Sequence, residues 1–225
     1  CARASASADE CTASASASLR EVCTVDALEA VLADAAITTI VLLARGSPYL
    51  LTGSHDTLGQ GPSALELTRS VTIRAEAGGR ATLDANASAD APRRVMIVHG
   101  QGTVVTLESV DVTGGYSMAV DVTGQTGGGG VLVYHGGNTL YLHNCGVRGN
   151  VMNRTGGVWG VGGGISIKGG STAVLTGTVV EDNEAVTEQG DAAGGGVYNA
   201  GILIAHNSRL VGNTVRSKSR VAHGG

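Results

Sequence analysis

The sequence contains no phenylalanine, and aromatic residues make up only 3% of its 225 residues. Globular cores commonly use large rings to fill irregular space, so this scarcity argues against a conventional globular core. The apolar residues are mainly Val, Leu, Ile and Ala, which suit narrow layers of β-strands. Glycine is abundant, at 36 residues, whereas proline occurs only 3 times. The composition therefore favours short strands joined by many glycine-containing turns.

Charged residues and long apolar runs are also scarce. Charged residues make up 15% of the chain, and the net charge is −4. Nucleic acids and anionic membranes bind a concentrated basic surface, which this sequence lacks. The longest apolar run lies around residues 40–44, far short of the roughly 20 residues that a membrane-spanning helix needs. We therefore predict no nucleic-acid partner and no transmembrane segment in this part of the chain.

The cysteines are few and unevenly placed. Cys1, Cys11 and Cys23 crowd the N-terminus, while Cys145 stands alone. Crowding of this kind predicts a disulfide in an oxidising compartment, and we take Cys11–Cys23 as its pairing. Cys145 is expected to be a buried, unreactive thiol.

The N-terminal part differs in composition from the rest. Residues 1–18 are mostly Ala and Ser, which is typical of a flexible lead-in. Leu28, Val31 and Leu32 then fall on one face of a short predicted helix, with Thr24 or Asp26 as its N-cap. Residues 19–225 are predicted to form one β domain that this helix caps. Its first strands are expected at 38–43, 71–74, 81–84, 95–98 and 104–107.

Two linked signatures recur in the second half of the chain. Gly-Gly-Gly triplets lead into Val131, Ile165 and Val197, at spacings of 34 and 32 residues. An aliphatic-x-x-Asn signature follows each triplet. Together these signatures define the repeat by Gly129, Gly130, Val131, Asn150, Gly163, Gly164, Ile165, Asn183, Gly195, Gly196, Val197 and Asn213. The chain ends on Gly224-Gly225, where another repeat would begin, so we expect the natural protein to continue.

The repeat has a direct physical interpretation. One repeat cannot bury its apolar face alone, so each must stack on the next as a coil of a solenoid. Equivalent side chains then lie about 4.8 Å apart in ladders. Counting along the repeats predicts one aliphatic ladder from Leu107, Leu142, Leu175 and Ala205, and a second ladder from the three repeat asparagines. Asparagine tolerates the left-handed conformation, so the asparagines are expected to be the turn residues.

These ladders predict an all-β fold, a right-handed parallel β-helix with a short N-terminal capping helix. The right-handed sense follows from the handedness of nearly all parallel crossovers. Segments 152–161, 187–193 and 216–222 exceed what short strands and tight turns need. We expect them to be variable loops that leave one corner of the solenoid, where binding sites are commonly found.

The paired signatures resemble the repeat of the polymorphic outer-membrane proteins, a family of bacterial surface adhesins. That repeat joins Gly-Gly-[Ala/Gly]-aliphatic to Phe-x-x-Asn, and here Val or Leu replaces the Phe in Val147-x-x-Asn150, Val180-x-x-Asn183 and Leu210-x-x-Asn213. The segment Ser18-Leu-Arg-Glu-Val-Cys23 resembles the lead-in that caps many such β-helices. The resemblance implies an extracellular or cell-surface location, at the outer membrane if the protein is bacterial, and an adhesive or structural role.

Chemistry-bearing residues do not converge on one position of the repeat. Glu108, His143 and His206 share a column, interrupted by Thr176, that is either an ordinary outward-facing polar column or a metal or proton-transfer site. Asp182, Glu184 and Asp191 belong to a loose acidic segment, either solvated or a weak Ca²⁺ site. Trp159 is a candidate platform for a carbohydrate. No catalytic residue is predicted, and Ca²⁺ is the only cofactor considered.

Three functional hypotheses follow. The first is a non-enzymatic secreted or cell-surface protein that presents loops to glycans or other surface partners. The second is a carbohydrate-active enzyme, a pectate-lyase-like lyase, hydrolase or epimerase, whose site lies partly outside this sequence. Ice binding ranks last, because it needs a flat and regular threonine array that the sequence does not show.

Overall fold

The computed structural model describes residues 14–118, 127–155, 160–218 and 221–224. One α-helix, α1 (Val25–Ala33), and one short 3-10 helix (Ala44–Gly46) occur among these residues. All other regular elements are strands. The strands before the second half of the chain are β1 (Ser14–Ser16), β2 (Leu19–Val22), β3 (Thr39–Leu42), β4 (Tyr49–Leu50), β5 (Ser63–Leu67), β6 (Val71–Ala75), β7 (Ala81–Asp84), β8 (Arg94–Val98), β9 (Val104–Glu108), β10 (Val110–Thr113) and β11 (Tyr116–Met118).

The second half contains fifteen more short strands. They are β12 (Val131–Val133), β13 (Thr139–His143), β14 (Gly146–Arg148), β15 (Val151–Arg154), β16 (Gly160–Val161), β17 (Ile165–Ile167), β18 (Thr172–Thr176), β19 (Val179–Glu181), β20 (Glu184–Thr187), β21 (Ala192–Ala193), β22 (Val197–Asn199), β23 (Ile202–His206), β24 (Arg209–Val211), β25 (Thr214–Ser217) and β26 (Ala222–His223).

Strands of successive coils stack side by side to form a parallel β-solenoid. Among the described residues there are five sheets, with eight, six, five, four and three strands. The eight-stranded sheet runs in the order β1-β2-β3-β6-β9-β13-β18-β23. Only its first pair, β1 and β2, is antiparallel, and all other pairs of strands are parallel. The predicted parallel β-helix is thereby confirmed, and its right-handed sense stays a prediction.

The strand registers reproduce the ladders expected from the repeat. Leu142 pairs with Leu107 in the coil before it and with Leu175 in the coil after it, and Leu175 pairs with Ala205. Val131, Ile165 and Val197 likewise form one column. Most of these side chains are fully buried and belong to one continuous aliphatic core. Equivalent positions therefore form ladders because each coil repeats the register of its neighbour.

The N-terminal helix closes this core at one end. The Thr24 hydroxyl accepts a hydrogen bond from the Ala27 backbone N–H at 3.2 Å, so Thr24 is the N-cap, as predicted. Leu28 and Val31 are buried against the first coils. β1 lies inside the predicted lead-in of residues 1–18, and it pairs with β2. Cys23 is disulfide-bonded, and its predicted partner Cys11 lies outside the described residues.

The coils contain more strands than expected from the sequence. The segments predicted as variable loops begin within or just after β15, β20 and β25, which form the four-stranded sheet with β11. They run into β16, β21 and β26, which form the three-stranded sheet. The excess length of each repeat therefore forms additional stacked strands. Between β20 and β21, residues 188–191 form no strand.

The glycine triplets are needed for two different reasons. Only the first glycine of each triplet has a positive φ, of 78° at Gly128, 70° at Gly162 and 64° at Gly194. The third glycine is needed for space, because a Cβ at Gly164 would lie 2.6 Å from the Gly196 carbonyl oxygen. The Gly164 N–H donates to that same oxygen at 3.1 Å. Backbone packs directly on backbone at this corner, which excludes every side chain.

The repeat asparagines form a continuous ladder, as predicted, in which Asn150 and Asn183 are fully buried. Asn150 Nδ2 donates to Asn183 Oδ1 at 3.0 Å, and Asn183 Nδ2 donates to Asn213 Oδ1 at 2.9 Å. Each of these side chains also donates to a backbone carbonyl of the preceding coil. The expectation that the ladder asparagines themselves adopt the left-handed conformation is wrong. The asparagine side chains point inward, and the residue before each asparagine adopts the left-handed conformation instead. These residues are Gly149, Asp182 and Gly212.

Replacing Gly164 by Ala should destabilise the protein. The added methyl group meets a backbone oxygen and the Asn183 amide, neither of which can move without shifting the neighbouring coil. We expect the free energy of unfolding to fall by about 3 kcal/mol, measured by urea denaturation. Gly170 is the matched control, since it has a φ of 80° and open space around its Cα. Gly170→Asn should cost less than about 1 kcal/mol, because Asn tolerates this conformation. Equal effects of the two variants would contradict the close-packing explanation.

Removing the middle rung of the asparagine ladder should also be costly. Asn183→Ala removes the acceptor of both the Asn150 backbone N–H and its amide, at 3.0 Å each. We expect a loss of roughly 2–4 kcal/mol in the free energy of unfolding, because buried polar groups lose their partners. Asn199 is exposed, and its side-chain oxygen accepts the Gly201 backbone N–H at 3.1 Å. Asn199→Ala should therefore cost less than about 1 kcal/mol, and a comparable loss there would refute the ladder's role.

Candidate functional site

The predicted column of Glu108, His143, Thr176 and His206 exists on the outer face of the eight-stranded sheet. Glu108 and His143 are on adjacent strands, whereas His206 lies two strands beyond His143. That separation is about 10 Å between the strands, too far for the three side chains to share one metal ion. Among the described residues, no three His, Cys, Asp or Glu side chains come together as a metal site.

The acidic candidates for Ca²⁺ do not point to one place. Asp182 occupies a turn with a φ of 53°. Glu184 forms an ion pair with Arg216 at 2.8 Å, and Asp191 accepts the backbone N–H of Val221 at 3.3 Å. Among the described residues, these three carboxylates therefore do not come together as a site for one cation. Trp159, the candidate carbohydrate platform, lies outside the described residues.

Charged side chains on the six-stranded and four-stranded sheets pair between neighbouring coils. Arg148 Nε lies 3.0 Å from Glu181 Oε1, and Arg80 forms an ion pair with Asp111. Glu188 pairs with Lys218 in the same way. Exposed pairs of this kind contribute little to stability. They do cancel charge locally between neighbouring coils.

The eight-stranded sheet has a different outer face. Two adjacent columns on it carry uncharged side chains only, with threonine in every coil but the last. We call this surface the neutral strip, and it consists of Thr39, Thr72, Val104, Thr106, Thr139, Tyr141, Thr172, Val174, Ile202 and Ile204. All ten are at least partly exposed. Adjacent strands place these side chains about 4.8 Å apart, and the strip is about 24 Å long.

The neutral strip meets the polar column at an aromatic pair. The rings of Tyr141 and His143 lie 6.0 Å apart between centroids and are nearly parallel, at 14°. Tyr141 therefore presents an apolar ring and a hydroxyl group on a surface otherwise made of methyl and hydroxyl groups. Threonine occupies three successive rungs of one column, Thr39, Thr72 and Thr106, before Tyr141 interrupts it. The array is therefore not a regular threonine lattice.

A polar pair that was not predicted from the sequence lies near the helix end of the solenoid. His99 Nε2 lies 2.8 Å from Glu66 Oε1, and the Thr57 hydroxyl donates to the same oxygen. Both members of the pair are largely buried, with 13% and 12% of their side chains exposed. Glu66 and His99 lie one coil apart. The early coils lack the glycine triplet, so the repeat could not be extended to align these two residues.

A cavity of about 300 Å³ lies beside this pair, between α1 and β5. Glu29, His55, Glu66 and Thr68 supply its polar lining, and Leu32, Ala33 and Leu65 its apolar lining. Glu29 Oε1 is buried and has no hydrogen-bond partner. A second cavity of about 330 Å³ lies on the other side of His99 and includes Tyr134 and His135 in its lining.

Two buried cationic side chains, Arg94 and Lys168, were also not predicted from the sequence. Arg94 is fully buried, and its guanidinium donates to the Gln60 and Gly61 carbonyl oxygens at 2.6 and 2.9 Å. Burial lowers the pKa of Arg94 to about 10. Burial, followed by the charge of Arg94, lowers the pKa of Lys168 to about 8. The contacts of Arg94 hold the segment before β5 against the solenoid, which is a structural role.

Cys145 is a buried free thiol, as predicted. Its Sγ donates to the carbonyl oxygens of Leu107 and His143 at 3.3 Å each. Burial raises the pKa of Cys145 to about 11, against the opposing effect of backbone hydrogen bonds. The next coil places Thr178 at the equivalent position, and its hydroxyl accepts the Cys145 backbone N–H at 3.3 Å. The thiol therefore acts as a core side chain.

Comparison with protein-family models, curated proteins and solved structures found no match to this chain. The function is therefore inferred from the fold and from the geometry of the protein's surfaces. No helix in the described parts of the chain combines the length and the hydropathy required to cross a lipid bilayer.

The thiol of Cys145 should be unreactive in the folded protein and should make stability depend on pH. Because its folded pKa is raised from 9.0 to about 11, its contribution to stability is full below pH 9 and is lost as the pH rises through 11. Cys145→Thr should remove that part of the decline in the free energy of unfolding. It should also leave thiol labelling of the native protein at pH 8 unchanged. Rapid labelling that disappears in Cys145→Thr would contradict burial.

Proposed function

We propose that this protein is a non-enzymatic, secreted or cell-surface β-helix protein, adhesin-like, that binds neutral glycans on its neutral strip. The observation that carries this proposal is the contrast between faces. The neutral strip shows only hydroxyl, methyl and aromatic groups, whereas the six-stranded and four-stranded sheets carry paired charges. Neutral sugars combine hydroxyl groups with apolar ring faces, and the strip offers both kinds of group in register.

Three further features support a rigid binding surface. The strip lies on strands whose inward residues are fully buried, such as Leu107 and Leu142, so its side chains are pre-organised. Tyr141, near its centre, supplies a large amphipathic contact at low entropic cost. The strip is long enough for several sugar units of an extended chain. An elongated surface of this kind suits an extended polymer better than a small molecule, which needs an enclosed pocket.

The location is proposed from two observations. The disulfide of Cys23 favours an oxidising compartment. The two linked signatures resemble the repeat of the polymorphic outer-membrane proteins, with Val or Leu in place of Phe. Both support a secreted or cell-surface protein. The neutral strip replaces the corner loops as the proposed binding surface, because the segments first expected to be loops include stacked strands.

A second function, a carbohydrate-active enzyme, is favoured by one observation. The Glu66–His99 pair lies between two cavities, and a carboxylate hydrogen-bonded to a histidine can orient that histidine as a general base. The remainder of such a site would lie outside this sequence. Incubation of the protein with soluble glycans and acidic polysaccharides, with and without Ca²⁺, tests this function. Cleavage products that disappear in His99→Gln would replace the binding proposal.

The binding proposal is tested by placing a charge on the strip. Retention on immobilised neutral glycans, such as mannan, xylan and β-glucan, is measured for the wild type and for Thr106→Glu and Tyr141→Ala. We expect both variants to bind at least about tenfold more weakly, as for central residues of an interface. Thr113→Glu is the matched control, because Thr113 faces outward on the six-stranded sheet. Absence of binding to every neutral glycan, or equal loss in Thr113→Glu, would overturn the proposal.

A further inference from the structure

The cavity between α1 and β5 contains a carboxylate whose hydrogen bonding is incomplete. Glu29 Oε1 is buried and accepts no hydrogen bond, although Glu29 lines the cavity. A buried carboxylate oxygen without a donor destabilises the folded state, since it has lost its water and gained nothing in return. Because Glu29 lines an open cavity, its position indicates that a bound ligand supplies the missing hydrogen-bond donor.

A second carboxylate lines the same cavity from the opposite element. Glu66 lies on β5, and its Oε1 accepts hydrogen bonds from His99 Nε2 and from Thr57. These donors fix the position of the side chain. The two carboxylates belong to α1 and to β5, so the cavity presents negative charge from both of its walls. The position of Glu66 is set by contacts within the chain, and a ligand would not need to order it.

Among the described residues that line the cavity there is no lysine or arginine. Its other titratable lining residue is His55. Arg69 follows Thr68 in the chain, but its guanidinium is engaged by the carbonyl oxygens of Val31, Leu32, Asp34 and Ile37 at the end of α1. These hydrogen bonds hold the Arg69 guanidinium at the end of α1, outside the lining of the cavity. The cavity keeps an excess of negative charge that a cationic ligand would complement.

The lining also defines the kind of cation. The described residues provide no cluster of side chains suited to a metal ion, here or elsewhere. Leu32, Ala33 and Leu65 provide an apolar wall that a bare ion would not use. An organic cation fits both parts, because its N–H donors reach the carboxylates while its carbon skeleton contacts the aliphatic side chains. The volume of about 300 Å³ lies at the lower end for ligand pockets and suits a molecule of monosaccharide size.

We propose that the cavity between α1 and β5 binds a small molecule with a protonated primary amine, held by Glu29 and Glu66. This site is separate from the neutral strip, which lies on the outer face of another sheet, and the proposal does not depend on glycan binding there. Two sources share the required chemistry, an amino sugar and an alkyl amine. The ammonium group would donate to Glu29 Oε1 and complete its hydrogen bonding.

Isothermal titration calorimetry on the full chain tests the proposal, with glucosamine and cadaverine as the two amine probes. Glucose and N-acetylglucosamine are the uncharged comparisons for the amino sugar. We expect at least one amine to bind, and each uncharged sugar to bind at least about tenfold more weakly than glucosamine if the amino sugar is the ligand. Binding of cadaverine alone would identify the alkyl amine as the source. Failure of both amines to bind would overturn the proposal.

Substitution of Glu29 gives a second and independent readout. Glu29→Gln should weaken amine binding about 10- to 100-fold, because the amide carries no charge to attract the ammonium group, while the melting temperature of the ligand-free protein should not fall. Glu188→Gln is the matched control, an exposed glutamate paired with Lys218, and it should change neither quantity. Thr106→Glu should leave amine binding unchanged, which separates this site from the neutral strip. Unaltered amine binding by Glu29→Gln would contradict the assignment.

Discussion

The structure depends on one constraint, the stacking of each coil on the next with every residue opposite its equivalent. Parallel strands hold equivalent backbone atoms about 4.8 Å apart, so each inward side chain packs on a copy of its own position. Leucine, valine and isoleucine satisfy this requirement along many rungs, and the larger phenylalanine ring is absent from the chain. The glycine triplets and the asparagine ladder obey the same rule. At Gly164 the backbones of two coils are in contact. At Asn183 the side-chain amide forms hydrogen bonds with the asparagine side chains of the coils before and after it.

The same constraint organises the outer surface. An outward residue has as neighbours the residues one coil before and one coil after it, so columns acquire a common character. On the six-stranded sheet this brings Arg148 beside Glu181, and the charges pair. On the eight-stranded sheet it brings threonine beside threonine, valine or tyrosine, and a continuous uncharged surface results. A binding surface on a solenoid can therefore arise from composition in a column, without a convergent motif in the sequence.

Prediction from the sequence succeeded where the repeat could be aligned and failed where it could not. The ladder through Leu107 and Leu142 and the asparagine ladder follow from residue counting, since the coil length in the sequence sets the register in space. The left-handed residue was assigned one position too late, because asparagine is favourable both in turns and in buried amide ladders. The Glu66–His99 pair was missed, as the first coils lack the glycine signature that would have aligned them.

The sequence by itself determined that the chain is an all-β solenoid with a short capping helix, because its period, its glycines and its asparagines repeat together. The number of sheets, the neutral strip and the cavity beside Glu29 were decided only by the tertiary structure. A period defines which residues lie in one column, but not which columns face outward on the same sheet. It also does not determine how a helix outside the repeat, α1, leaves a space against the first coils. Those features depend on where the chain bends within each coil, and the length of the repeat does not determine the positions of these bends.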